Sequence, residues 1–500
     1  VSHLILVPIL LPLVAGMTNL FLRRPGLALP RIVSAAAATG ALVAAALLVL
    51  QADTGGFLTY ALGNWPAPFG IVLVLDRLSA LMLLTTAILA VVVLAHAWGD
   101  DDTRGPDFHV IFPLQLTGIN GAFLTGDMFN LFVFFEILLI ASYCLAVHGS
   151  GPERTRHTLR YVVLNLVGSS LFLIALGTLY GVCGTLNMAD LALAAAAPAG
   201  QAPLLAAAAL LLVTVFGLKA AVLPLFTWLP GLYAAALPSV AALFAIMTKV
   251  GVYAILRILT LIFPHDGPLP EIAALVLPLG LATLVWGALG AMGGRNLRET
   301  LAYLVIVSVG TLLAGIGLWS PAGIAAALYY LPHSTLVTAG LFLLAGRLPD
   351  GPATADNAHW TAPAESGPAV SDLTGAVFLL GAVATGGLPP LSGFIGKVLL
   401  LQAASGPYMA WVWTVVLGGS LLVLAALARV GSDIFWKSPD NSAPGADPSG
   451  SRLWPAALLI LAGVAMAALA SPITRYTNAA AAQLVETQAY IQAVMGGITP

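Results

Sequence analysis

Polar and charged residues in this chain fall in short clusters, and the stretches between them are almost wholly apolar. Residues 4–22 (LILVPILLPLVAGMTNLFL) carry no charge until Arg23 and Arg24 close the run, and the same alternation continues down the sequence. A helix needs about 20 apolar residues to cross the hydrocarbon core of a bilayer. The pattern therefore predicts an all-α integral membrane fold of about 14 transmembrane helices: 4–22, 32–50, 72–98, 108–125, 128–147, 158–181, 203–229, 238–263, 270–292, 299–318, 321–347, 371–404, 409–431 and 453–471. Residues 51–71, bearing Gly and Pro, form an outer loop, and 348–370 and 438–452 are polar linkers. The tail after Pro472 is read as a surface-lying helix with Ile473, Tyr476, Leu484, Ile491 and Met495 as its apolar side. The first run is a retained helix, because its positive charges follow it, whereas a signal peptide carries them in front.

Two of these runs contain helix breakers. Span seven has Pro224 five residues after Lys219, then Pro230, and span twelve has Gly386, Gly387, Pro389 and Pro390 ahead of Lys397. A proline inside a helix frees a carbonyl, which in lipid must find another partner. Both spans are therefore expected to be broken, with a polar, partly hydrated interior. They lie five apart, an odd number, so five-helix repeats beginning at spans four and nine are inverted and put an ion path near the midplane. The chain then divides into an N-terminal three-helix segment (1–107), a first five-helix repeat (108–263), a second (264–436), and a C-terminal span and tail (437–500).

Loop charges set the orientation. With the N-terminus outside, the inner loops hold Arg23, Arg24, Arg31, Arg104, Arg154, Arg156, Arg160, Arg295, Arg298, Arg347, Arg429, Lys437 and Arg452. The outer side keeps Arg77, Arg257 near a helix end, and Arg475. Lys and Arg concentrate on the cytoplasmic side of membrane proteins, so an even number of spans with both termini outside fits this asymmetry.

Composition agrees with the pattern and narrows the function. The chain is 60% hydrophobic and 8% charged, against about 25% charged residues in soluble domains. A net charge of −2 gives no sign of nucleic-acid binding, and Cys144 and Cys183 form neither a CxxC nor a histidine-flanked site. Neither a Walker loop nor a GxGxxG after a strand is present, and no flavin or haem signature stands out, so no cofactor is expected. Without an energy source of its own, the chain must use ion gradients or an attached engine.

The candidate chemistry lies in ionisable residues inside the spans. Of four lysines, Lys219, Lys249 and Lys397 fall in membrane-length apolar runs, and Lys437 alone is in a polar setting. Glu136 is the only acid deep in a span, and His333 the only one of eight histidines so placed. Such residues cost about 2.5–3.5 kcal/mol at mid-bilayer on insertion scales, and they commonly mark ion pathways. Burial favours a neutral amine and a nearby carboxylate favours the ammonium, so an ion pair that opens and closes can move a lysine's proton. Lys219 is the best partner for Glu136 on this reasoning. Structural alternatives stand beside the relay: a neutral Glu136 held for packing, a static Glu136–Lys219 bridge, Lys249 reaching water at a helix end, Lys397 capping freed carbonyls, and His333 as a plain hydrogen-bonder. Ser142, Asn165, Ser169, Ser170, Thr248, Ser308 and Thr338 are candidates to hold water between the charges. Asp76 and Asp127 sit at helix ends and are assigned no transport role.

The segments GLKAAVLPLFTWLP, MTKVGVYAILR, RNLRETLAYLVIVSVG and GLPPLSGFIGK resemble the proton-pumping antiporter-like subunits shared by respiratory complex I, membrane-bound hydrogenases and Mrp cation/proton antiporters. The resemblance covers roughly residues 70–430, and GDMFNLFVFFEILLIASY is most similar to the D-type branch of the Mrp antiporter subunits. It implies a coupled pair in Glu136 and Lys219, a central relay lysine in Lys249, a terminal lysine in Lys397, and a span-eleven histidine in His333. Two departures matter. Thr338 stands where many relatives have a lysine after the histidine, so the step from Lys249 to Lys397 needs water or His333. The chain reads WLPGL where relatives often read WLPDA, so any acid at the inner mouth comes from elsewhere than Gly231 and Leu232.

The resemblance implies one subunit of a hetero-oligomeric sodium/proton antiporter in the bacterial plasma membrane, with protons and monovalent cations as its cargo. Because lysines repel sodium, the sodium path can lie partly in a partner subunit. A proton-pumping subunit of a redox complex is the alternative, which a long lateral helix after the last span would favour. A stand-alone transporter of organic solutes is a third reading, against which the buried charges look more like a relay than a substrate pocket.

Overall fold

A computed structural model describes residues 3–22, 28–105, 107–196, 201–348, 371–435 and 453–496. Arg23, Arg24, Lys437, Arg452, the linker 438–452 and all of 348–370 except Leu348 lie outside the described residues. Nearly all of the described chain is helix. It opens with α1 (Val7–Phe21), α2 (Leu29–Asp53), an antiparallel hairpin of β1 (Leu58–Ala61) and β2 (Val72–Leu75), and α3 (Arg77–Ala97). Then come α4 (Phe108–Leu124), α5 (Met128–Val147), α6 (Pro152–Cys183), α7 (Met188–Ala196), α8 (Ala202–Ala220), α9 (Leu229–Ala235), α10 (Pro238–Phe244) and α11 (Met247–Leu261). The second half holds α12 (Pro270–Ala274), α13 (Val276–Gly293), α14 (Leu297–Ile316), α15 (Pro321–Ala345), α16 (Asp372–Gly386), α17 (Ser392–Ala403) and α18 (Met409–Phe435). The chain closes with α19 (Leu453–Ala468), α20 (Ala470–Val485) and α21 (Thr487–Met495).

Among the described residues, 11 helical segments are long and apolar enough to cross a membrane, or 12 if the pair α19–α20, bent by 83°, is one span. Helices α4, α16 and α17 are apolar but shorter. Several starts follow from capping: Asp76, Asp127, Asn296, Ser320 and Ser371 each accept a hydrogen bond from a backbone N–H in the first turn that follows, satisfying a donor the helix leaves free. Span three begins later than the hydropathy pattern suggests. Val72–Leu75 is a strand, with Val72 opposite Ala61 and Leu75 opposite Leu58, and helix begins only after Asp76. A short apolar run such as VLVL has no period to separate buried strand from helix. The tail does turn across the end of the bundle, and α20 and α21 bury Thr477, Ala480, Leu484, Tyr490 and Ile491.

The centre of the bundle is formed by α10–α11 and α15, whose membrane-length windows are 100% buried, with α14 at 89%. Helices α2 and α18, at 39% and 33%, form part of the periphery. Close approach depends on small residues, as in other membrane bundles. A Cβ on Gly280 would fall 2.7 Å from the Ala314 nitrogen, and one on Gly251 only 2.6 Å from that of Ala220.

Three interruptions lie inside the bundle, and side chains cover the backbone groups they free. Helix α8 stops at Ala220, with Ala221 in the left-handed region (φ 60°). Trp228 Nε1 then donates to Leu218 O (3.1 Å), and Leu223 N donates to Thr283 Oγ1 (3.1 Å). Between α10 and α11, Tyr233 donates its hydroxyl to Phe244 O (2.6 Å). Between α16 and α17, Lys397 Nζ donates to Gly386 O (2.8 Å) and Thr385 O (3.3 Å). In hydrocarbon an unsatisfied group of this kind costs several kcal/mol, so these polar side chains are conditions of the fold.

Candidate functional site

Each interruption sits next to a lysine. Lys219 is in the last turn of α8, where its charge favours the helix C-terminus. It is 5% exposed and donates to Ser169 Oγ (3.4 Å) and Asn165 O (3.5 Å). Glu136, half-buried in the middle of α5, accepts a hydrogen bond from the same Ser169 hydroxyl. The expected pair is thus brought together through a serine: Ser169 accepts from the lysine and donates to the carboxylate. Among the described residues, no direct ion pair joins Glu136 to Lys219 within 4.0 Å.

Lys249 lies three residues beyond the α10–α11 interruption and has no measurable exposure. Its Nζ donates to Ser308 Oγ on α14 (2.8 Å), and Ser308 donates in turn to Val305 O (2.6 Å). The end of α8 and the start of α11 meet where Gly251 lies against Ala220. Lys219 and Lys249 are therefore on touching helices, with no hydrogen bond between them among the described residues.

His333, 1% exposed in the middle of α15, has its Nδ1 2.8 Å from the hydroxyl of Ser392, the first residue of α17. Lys397, on the same short helix, reaches back to the carbonyls at the end of α16, as the capping alternative expects. Its amine lies over Gly387, which has φ +80° and no room for a Cβ (Lys397 Nζ would be 2.8 Å away). A small cavity with room for about one water is lined by Ser308, Tyr330, His333, Thr338 and Thr385. It adjoins the serine that holds Lys249, the histidine, and the threonine that accepts from Lys397. Thr338 thus borders a space where water can connect groups that its own side chain does not bridge. Of the other candidate water-holders, Ser170 is exposed and donates to Leu166 O, away from this track.

Two polar clusters at opposite ends of α3 went unrecognised in the sequence. At one end, Asp76 Oδ2 pairs with Arg257 Nη2 (2.7 Å), and Oδ1 accepts from the Ser79 N–H and hydroxyl. Both charged residues are buried, at 1% and 5% exposure, so Arg257 is not a solvated loop cation. At the other end, Asp101 Oδ2 accepts from Ser239 N at the start of α10 (3.0 Å), and Asp102 binds Arg31 (2.7 Å) and His109 (3.0 Å). Burial alone would raise the Asp102 carboxyl, but the hydrogen bonds from His109 and Arg31 hold it below its ordinary value. Burial pushes His148, whose Nε2 is 2.9 Å from Asp101 O, below the usual imidazole range. Gly231 lies directly against the His157 ring, and the acids at this end come instead from the loop after α3. The clusters are formed by residues far apart in sequence, which spacing could not reveal.

Residues 125–423 match a family described as NADH:quinone oxidoreductase/Mrp antiporter, TM. The D subunit of the Na(+)/H(+) antiporter of Bacillus subtilis is 37% identical over 498 residues, 99% of each chain. The D subunit of a probable K(+)/H(+) antiporter of Rhizobium meliloti is 38% identical, covering 99% of this chain and 98% of that protein. A solved chain of the Mrp complex from Dietzia sp. superposes with a TM-score of 0.86 at 28% identity, covering 99% of this chain and 100% of that one.

Proposed function

Because the chain belongs to the NADH:quinone oxidoreductase/Mrp antiporter transmembrane family, we propose that it is one subunit of a multisubunit sodium/proton antiporter. It carries protons along a buried relay of Glu136, Lys219, Lys249, His333 and Lys397, coupled to sodium export. One observation carries this reading. Three lysines are buried at helix interruptions inside a membrane bundle, and each amine rests on a hydroxyl or carbonyl rather than on a fixed counter-ion.

The chemistry follows from that arrangement. A lysine held by neutral oxygens can release its proton without leaving behind a carboxylate locked to it, the penalty that makes a broken buried ion pair costly. Ser169 lets Glu136 influence Lys219 through a group that rotates. The cavity beside His333 supports a water-assisted step between Lys249 and Lys397 in place of the missing side chain at Thr338. Glu136 remains half-buried on the side of the bundle, and a partner subunit covering it spares an ionisable group from lipid. The sodium path lies at least partly in such a partner.

The finer architecture belongs to the same proposal. Counting α4, the pair α16–α17 and α19 as spans gives fourteen. The interruptions near Lys219 and Lys397 support inverted repeats over 108–263 and 264–436, flanked by 1–107 and 437–500. The excess of arginine in alternate loops supports both termini outside.

The test is pH-gradient collapse in everted vesicles on adding sodium, potassium or lithium, with neighbouring subunits co-expressed. Wild type is expected to respond to sodium, and Lys219→Ala, assembled normally, to lose the response. Full exchange in Lys219→Ala would make the lysine structural. Proton movement only on adding a redox substrate would replace the antiporter with a redox-driven pump.

A further inference from the structure

A relay that runs from lysine to lysine within the membrane plane moves no proton across it until branches reach the surfaces. The structure contains one rod suited to this, the pair α10–α11. Asp101 meets it at Ser239, and Asp76 meets it at Arg257. These contacts are eighteen residues apart, about 27 Å of helix at 1.5 Å per residue, close to the hydrocarbon thickness of about 30 Å. Lys249 sits near the midpoint, ten residues from Ser239 and eight from Arg257.

The half of the rod leading to Asp76 has a polar stripe. Lys249, Tyr253 and Arg257 are spaced by four and so share one helix face. Tyr253 donates its hydroxyl to Phe123 O (2.7 Å) and accepts from Arg257 Nη2 (3.4 Å). Beyond Arg257 is Asp76, whose second oxygen is held by Ser79. A roof closes this end. Tyr476 and Gln483 of α20 clasp the backbone of Arg77, the residue after Asp76, at 2.9 and 3.0 Å. The Tyr490 ring of α21 lies 5.5 Å from the Arg257 guanidinium.

We propose that Asp76 is the proton acceptor of a transverse branch that leaves the relay at Lys249 and passes Tyr253, with Arg257 as its gate and α20–α21 as the lid. The inference rests on the relay reading of Lys249. When the lid lifts and Arg257 swings off, an N–H bond of the Lys249 ammonium breaks and its proton passes through water. An O–H bond then forms on Asp76 Oδ2. Lysine becomes a neutral amine, aspartate a neutral acid, and Arg257 keeps its charge. Asp76 then loses the proton to solvent, and the ion pair re-forms. A carboxylate whose role is only to cap α3 would need no buried guanidinium and no roof.

The test uses the complete complex in proteoliposomes with an internal pH dye. Asparagine caps a helix as well as aspartate does, so Asp76→Asn retains the helix start while removing the carboxylate oxygen proposed to take the proton. It is expected to lower sodium-driven proton flux by at least about tenfold at unchanged apparent KM for sodium, and Asp76→Glu to restore most of the flux. Wild-type flux in Asp76→Asn overturns the branch. Arg257→Lys gives a second reading, because a lysine cannot reproduce the guanidinium contacts. It is expected to raise the proton leak measured without sodium several-fold, and an unchanged leak overturns the gate. Lys249→Ala separates the premise from the branch: inactive Lys249→Ala with active Asp76→Asn rejects the branch alone. Active Lys249→Ala rejects the relay and the branch together.

Discussion

Gly251 offers the sharpest test of how closely the lysine-bearing helices must approach. A Cβ at this position would lie 2.6 Å from Ala220 N and 2.9 Å from Ala220 Cα. The obstacle is backbone, so no side-chain rotation relieves it. Replacing glycine by alanine inside a helix gains about 1 kcal/mol in propensity. Overpacking costs about 1–3 kcal/mol, leaving Gly251→Ala up to about 2 kcal/mol less stable. Function is expected to suffer more than stability. Ala220 adjoins Lys219 and Gly251 lies two residues from Lys249, and a displacement of about 1 Å can cost about a hundredfold in a positioned reaction. Gly177, in the C-terminal part of α6, has nothing within 4 Å of its would-be Cβ, so Gly177→Ala is the matched control. The assays are thermal melting of the purified complex and sodium-driven pH collapse in vesicles. Gly251→Ala is expected to melt lower and exchange at least about tenfold more slowly, with Gly177→Ala at or above wild type in both. Equal behaviour of the two variants would refute the claim that the α8–α11 contact sets the relay.

The remaining predictions concern the relay and the loop end of the bundle. Ser308→Ala removes the hydrogen-bonding side chain that holds Lys249; at about 1.5–3 kcal/mol for a bond to a charged group, it is expected to lower both melting temperature and exchange, and an unchanged melt would show that Lys249 finds another partner. His148 has a folded-state pKa below its ordinary 6.5 because burial disfavours its charged form. Its contribution to stability is therefore complete above about pH 6.5 and lost as pH falls through its folded value. Melting of wild type is expected to drop below that pH, and His148→Asn to flatten this part of the curve. Asp102, also depressed, adds a loss only below its ordinary 3.8.

Much of this organisation can be read from the sequence, and the rest depends on contacts that spacing does not encode. Prolines and glycines announce the interruptions near Lys219 and Lys397, because those residues break helical backbone locally. The interruption before Lys249 falls at Ala245 and Ile246, which carry no such signal. It is fixed by a tertiary contact, the Tyr233 hydroxyl on Phe244 O. The three lysines stand out because charge is rare in apolar runs. Hydroxyl partners stand out less: Ser308, which holds Lys249, is only one of seven polar candidates in the spans, and Ser392, which meets His333, is an ordinary residue until helices bring the two together. Asp76 and Arg257 look like helix-end charges, and only the tertiary fold, which brings the start of α3 to Arg257 of α11, turns them into a buried pair.

The burial of α10–α11, α14 and α15 also bears on how the protein enters the membrane. These are the three least apolar of the eleven spans, and they carry Lys249, Ser308 and His333. Alone in lipid, each would expose polar groups that the finished bundle covers. They are therefore poor candidates for independent release from the insertion machinery. Biogenesis must keep them beside the translocon until the later helices α17 and α19, which pack on α15, are made, and a delay in that step would leave the lysine-bearing centre of the protein as its most degradable part.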